Sequence, residues 1–265
     1  METFDYILNL HAIRSRLCQD KSRPEPSWVR ITTITMCSKF LQEIDLQKFR
    51  ENFVKLGTVT VRRQGSKAKG FVWELKDTGF YNQVTIGYVD AYSRKSVKIF
   101  PNGSIQVAGC SDLFDCRRVL RQLSFILKIV LGVEKDIPVD AVSVKMINTN
   151  FSLNSSVNLK KVIQKLPRNQ FDVAFNPDRY SAVKVKFVPR PGQKQVTASI
   201  FSTGKIIVTG AQTLEEIAGA YEVLNRHLDA SVMVQKVADP ELFDVILGAR
   251  FDEWAKVLNK NVRNL

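Results

Sequence analysis

The stretch RKSVKIFPNGSIQVAG, residues 94–109, has a second copy in QVTASIFSTGKIIVTG, residues 195–210. Phe100 and Phe201, Gly103 and Gly204, and Gly109 and Gly210 all stand 101 residues apart. In both copies an alternating strand ends at Ile-Phe, a short polar turn with glycine follows, and a second alternating strand runs to another glycine. This is the pattern of a tight antiparallel hairpin, in which period-two alternation gives each strand one apolar face and glycine supplies the turn's positive φ.

Each hairpin is followed by helical periodicity. Ser111 or Asp112 caps a run that sets Leu113, Cys116, Val119, Leu120, Leu123, Ile126 and Leu127 on one stripe. Thr213 and Glu216 have capping-box spacing ahead of Leu214, Ile217, Ala218, Tyr221, Leu224 and Leu228. Upstream, Val29, Ile31, Thr33 and Thr35 alternate as a strand, and Val142, Val144 and Met146 do so 113 residues later. Both strands lead into short amphipathic helices, IDLQKFRENF from Ile44 and VNLKKVIQKL from Val157. Each unit reads strand, helix, several strands, long helix, a duplicated α+β fold.

The chain divides into an N-terminal extension (1–27), a first repeat (28–133), a second repeat (134–230) and a C-terminal extension (231–265). Pro189, Pro191 and Gly192 mark a loop in the second repeat, and the basic stretch GSKAKG, residues 65–70, marks one in the first. The linker lies near Gly132 to Pro138, and the amphipathic stretch LFDVILGARFDEWAKVL, residues 242–258, is expected to form a helix in the tail.

Among 265 residues, 39 Lys+Arg face 26 Asp+Glu, a formal charge of +13 that favours a polyanionic partner. Cys18, Cys37, Cys110, Cys116, His11 and His227 offer no zinc-ligand spacing and no disulfide framework, so no metal and a reducing compartment are expected. The longest apolar patch, Ile126 to Val133, is broken by Lys128, so no membrane partner is expected. The METFDYILNL start lacks the basic region of a signal peptide. No paired carboxylates, nucleophile elbow or Gly-rich phosphate loop stands out, and the expectation is a non-enzyme with no cofactor. Asp112, Asp115 and Cys116, with no histidine or basic partner close by, read as ordinary surface and core choices.

FNPDRYSAVKVKF (175–187) followed by IFSTGKIIVTGAQT (200–213) resembles the TATA-box-binding protein family, almost continuously over about 138–230. The first repeat resembles it more weakly, through KIFPNGSIQVAG, the following helix and the IDL helix start. The degree of divergence is similar to that of TATA-binding-like proteins of large DNA viruses. The resemblance implies a ten-stranded antiparallel saddle with helices on the convex side. Its concave face would sit in a widened minor groove of double-stranded DNA, with aromatic wedges unstacking base steps at both ends. Unstacking costs a few kcal/mol per step and is offset by the protein surface that bent DNA can reach. It also implies a transcription-initiation role as a monomer on DNA, with a transcription-factor-B-like initiation factor and RNA polymerase as partners. The expected compartment is a nucleus or, for a viral protein, a cytoplasmic transcription site or the virion.

The same resemblance assigns residues. The wedges are Phe100 and Tyr81 in the first repeat, with Phe80 an adjacent competitor for the latter, and Phe201 and Tyr180 in the second. A tyrosine hydroxyl needs a partner or water, so shallower kinks are expected at Tyr81 and Tyr180. On the sheet floor, Thr33 and Met146 stand where the family has asparagines, followed by Thr35 and Asn148. Ile207 and Thr209 keep the family pattern, Gln106 and Ala108 replace it, and Lys98 and Ser199 stand where a bulky apolar residue is usual. Such a floor is expected to relax the preference for A·T pairs, which rests on smooth apolar fit to a groove without the guanine amino group. Arg179, Lys186 and Lys205 take phosphate-facing positions, while Arg94 and Lys95, with Lys98 of the floor, compensate for uncharged counterparts in the first repeat. The acidic contact for the initiation factor is reduced to Asp178. The loss of both floor asparagines keeps a second reading open: a saddle serving as a protein scaffold or regulator with weak or non-specific DNA binding.

Overall fold

A computed structural model describes residues 2–56, 59–61, 71–89, 94–135 and 137–234. The 65–70 loop and the 242–258 stretch lie outside the described residues. The first repeat runs β1 (Arg30–Lys39), α2 (Leu46–Leu56), β2 (Val59–Val61), β3 (Phe71–Lys76), β4 (Val84–Val89), β5 (Arg94–Ile99), β6 (Ser104–Cys110) and α3 (Leu113–Leu131). The second runs β7 (Ser143–Ser152), α4 (Leu159–Lys165), β8 (Asp172–Ala174), β9 (Ala182–Phe187), β10 (Val196–Phe201), β11 (Lys205–Ala211) and α5 (Leu214–His227). A helix α1 (Glu2–Leu17) precedes both.

All strands join one sheet in the order β2-β3-β4-β5-β6-β1-β7-β11-β10-β9-β8, with antiparallel pairing throughout. The fold is α+β, as expected. Among the described residues, eleven strands replace the expected ten because β-branched Val59-Thr60-Val61 adds an edge strand against Phe71–Trp73. The two repeats meet where β1 pairs with β7. Ile34 pairs with Ile147, and the two differ by 113, the offset already visible in the sequence. A residue paired with its own counterpart lies on a pseudo-two-fold axis. Thr33↔Asn148 and Thr35↔Met146 flank that axis as exchanged pairs.

Each repeat has its own core, built from one face of its half-sheet and its helices. Ile34 packs against both cores. Asp112 caps α3 by accepting from the Asp115 N–H, and Thr213 with Glu216 closes the capping box of α5. The N-terminal extension does not stand apart from the repeats: Leu10 and Ile13 of α1 are buried in the second core. Buried Arg23 donates to the carbonyls of Asn225 and Leu228 and to Asn225 Oδ1, fixing the extension to the end of α5.

The hairpin turns repeat in atomic detail. Phe40 N–H donates to the Gly103 carbonyl at 2.8 Å, and Leu153 N–H donates to that of Gly204 at 2.9 Å. Gly103 and Gly204 have φ of +79° and +77°, and a Cβ at Gly204 would fall on the Ser155 carbonyl oxygen. Left-handed backbone and backbone overlap act together there. We therefore expect Gly204→Ala to destabilise the protein by at least about 2 kcal/mol in denaturant unfolding. Gly132→Ala, at φ +68° with no atom within 4 Å of the added Cβ, is expected to cost only about 1 kcal/mol.

Candidate nucleic-acid interface

Alternation along the strands separates two faces. Val97, Ile99, Ile105 and Val107 of the first hairpin, and Ala198, Ile200, Ile206 and Val208 of the second, are buried among core residues. The intervening residues, among them Lys98, Gln106, Ser199, Ile207 and Thr209, point to the opposite, open face and are partly or fully exposed, as the alternating burial shows. Near the axis, Asn148 Nδ2 donates to Thr33 Oγ1 at 3.1 Å, committing one amide hydrogen inside the sheet. Asn148 Oδ1 is buried without a hydrogen-bond partner. Thr35, opposite Met146 on β7 and Ala108 on β6, is buried.

The four aromatic candidates sit at turns of the two repeats. Phe100 and Phe201 open equivalent turns, with Gly103 and Gly204 N–H donating back to their carbonyls at 3.0 and 2.9 Å. Tyr180 lies edge-on to Phe201, ring centroids 5.8 Å apart at 68°. Tyr81 is 92% exposed on the β3–β4 turn. Arg50 of α2 holds that turn by donating to the carbonyls of Phe80, Tyr81 and Gln83 at 2.9, 3.2 and 2.7 Å. Register separates Tyr81 from Phe80. Val84 opposite Ile99 corresponds to Val183 opposite Ile200, so counting back three residues matches Tyr81 with Tyr180 and Phe80 with Arg179.

Of the five cations assigned to phosphate, Arg94, Arg179, Lys186 and Lys205 are exposed. Lys95 is not. The alternation of β5 turns it to the helix side, where its side chain is fully buried, its Nζ lies 3.1 Å from Asp115 Oδ1 and it sits 5.1 Å from the centre of the Tyr88 ring. Lys95 therefore cannot face a ligand on the open side. Asp115 is correspondingly no ordinary surface carboxylate. Burial opposes its charge, but hydrogen bonds from the Ser111 N–H and the Lys95 ammonium outweigh burial and hold its pKa below the usual carboxylate value.

Among the open-face cations the sequence did not single out is Lys184, exposed on β9, with Nζ 4.8 Å from the Tyr180 ring centre. The signal was present in Val183-Lys184-Val185-Lys186-Phe187, whose alternation puts both lysines opposite a buried apolar face.

Residues 141–230 match the family model described as transcription factor TFIID (or TATA-binding protein, TBP). The chain is 27% identical over 238 residues to a TATA-box-binding protein-like protein of Acanthamoeba polyphaga mimivirus, a match covering 76% of this chain and 65% of that protein. It is 21% identical over 203 residues to TATA-box-binding protein 2 of Methanosarcina mazei, covering 77% of this chain and 96% of the relative. Against the TATA-box-binding protein of Thermococcus celer it is 30% identical over 81 residues, 31% of this chain and 39% of that one. The Methanococcus jannaschii TBP structure aligns with TM-score 0.49 at 13% identity, covering 75% of this chain and 95% of that chain. The second repeat is thus a domain of the TATA-binding-protein family, and the first repeat, apart from its extra edge strand β2, is built on the same strand and helix order around a shared pseudo-two-fold axis.

Proposed function

We propose that this protein is a TATA-binding-protein-like transcription initiation factor that seats its open sheet face in the DNA minor groove and bends the duplex with four aromatic wedges. The observation that carries the reading is the matched placement of Phe100 with Tyr81 and Phe201 with Tyr180 about one axis. A pseudo-symmetric face with two aromatic residues at equivalent positions of each repeat suits a ligand that is itself near-symmetric, and duplex DNA is one. Arg94, Arg179, Lys186 and Lys205 supply the electrostatic part of binding, weighted toward the second repeat. Recruitment of a transcription-factor-B-like initiation factor and RNA polymerase belongs to the same proposal. On the helix side, α1 packs on α5, whereas Phe114, Phe125 and Ile129 of its counterpart α3 are exposed.

Fluorescence anisotropy with A·T-rich and G·C-rich duplexes across a salt series tests binding, and energy transfer between duplex ends tests bending. We expect saturable, salt-sensitive binding with shortened end-to-end distance. Tyr180→Phe removes a hydroxyl that resists stacking and is expected to deepen the bend by roughly 10°, within the 20–90° that wedges produce. Absence of both binding and bending would leave the scaffold reading. That alternative draws support from the central pair, where Thr33 and Met146 replace the family's asparagines and Asn148 already donates within the sheet.

A further inference from the structure

Lys98 on β5 pairs with Thr85 on β4, and Ser199 on β10 pairs with Lys184 on β9. The strands correspond as β5 to β10 and β4 to β9, so these two cross-strand pairs occupy one equivalent position in the two repeats. Each holds one lysine and one hydroxyl, with the strands exchanged. Both pairs lie on the open face immediately inside the wedges, because Lys98 precedes Phe100 and Ser199 precedes Phe201 by one period of the strand. Neither lysine forms an ion pair with a described carboxylate; Lys184 rests over the Tyr180 ring, and Lys98 is half-buried.

We infer that Lys98 and Lys184 are a matched pair of groove-floor cations that replace apolar readout with sequence-neutral contact next to each wedge. The inference rests on the DNA reading above. A lysine only donates, and its flexible stem lets the ammonium choose among nearby acceptors. Every base pair offers minor-groove acceptors, so such a side chain engages A·T and G·C alike. An aliphatic side chain at the same place excludes water from the guanine amino group without partnering it, which penalises G·C.

The test compares wild type, Lys98→Leu/Lys184→Leu and Lys98→Arg/Lys184→Arg on A·T-rich and G·C-rich duplexes of equal length. The double leucine variant is expected to flatten the dependence of log affinity on log salt by about two, one per lysine. It is also expected to raise the A·T-over-G·C ratio by about tenfold. The arginine variant should keep the wild-type slope. Thermal melting checks that each variant folds. If the leucine variant keeps both slope and ratio while wild type binds and bends DNA, the lysine pair is wrong and the DNA reading stands. If wild type binds no duplex, the DNA reading falls and the lysine inference with it.

Discussion

Alanine at both Phe100 and Phe201 is expected to weaken binding to A·T-rich duplex by about 30-fold or more and to abolish most of the bend. Base–aromatic stacking contributes about 1–3 kcal/mol per base. Two wedges therefore amount to about 2–6 kcal/mol, and each 1.4 kcal/mol is about tenfold in affinity. Both rings are only partly buried and sit at turns rather than in either core. The folded state should lose little, chiefly the edge-on contact of Tyr180 with Phe201, about 1 kcal/mol. No charge is removed, so the salt slope should stay at the wild-type value. Weakening below about threefold, with wild-type slope, would mean that the sheet holds DNA by charge alone and inserts nothing.

The pattern of effects also separates the repeats. Phe201 has Tyr180 beside it, whereas Tyr81 stands almost fully exposed on a turn fastened through its backbone by Arg50. A lone exposed ring orders only when bound, while a pre-packed pair has less freedom to lose. Phe201→Ala alone is thus expected to do more damage than Phe100→Ala alone.

Much of this was legible before any coordinates. The offsets of 101 and 113 fix not only the existence of two repeats but their contact, since Ile34 pairs with the residue 113 positions on. Hairpin glycines, caps and helix stripes follow local rules of spacing and backbone conformation, and these survive divergence. The extra edge strand was less visible because three residues carry too little periodicity to distinguish a strand from a loop. The docking of the N-terminal extension on α5 was invisible for another reason: Arg23 and Asn225 meet across 202 residues, and no local pattern encodes that contact. For the interface, a position borrowed from a resemblance has also to lie on the open face of its strand. Lys186 passes that check and Lys95 does not. Alternation through Lys95, Val97 and Ile99 already places the lysine with the buried residues.

Lys95→Val is accordingly expected to destabilise the fold by about 3 kcal/mol and to leave DNA affinity of the folded protein unchanged. The second repeat offers the comparison. Val196 corresponds to Lys95, and Glu216 to Asp115, at the shared offset of 101. Glu216 accepts backbone N–H groups of Lys194, Gln212 and Thr213, so its carboxylate is satisfied without a core cation. Asp115 has a shorter side chain; it accepts from Ser111 N–H and Oγ, Arg118 and Lys95 instead. Removing one partner of a buried pair leaves the other charge short of compensation, typically about 3–5 kcal/mol, and Arg118 should hold the loss near the lower end. Removing both charges is gentler, so Lys95→Val/Asp115→Asn should recover part of the loss. The pH dependence has a definite sign. Asp115 has a lowered pKa in the fold, so its stabilising contribution is present above the ordinary carboxylate value and disappears as pH falls through the folded one. Lys95→Val should therefore cost most near neutral pH, and its gap from wild type should narrow on acidification. Unfolding curves at neutral and acidic pH, with anisotropy on the folded variant, measure both halves. An unchanged stability with weakened DNA binding would put Lys95 back on the open face and overturn the assigned strand register.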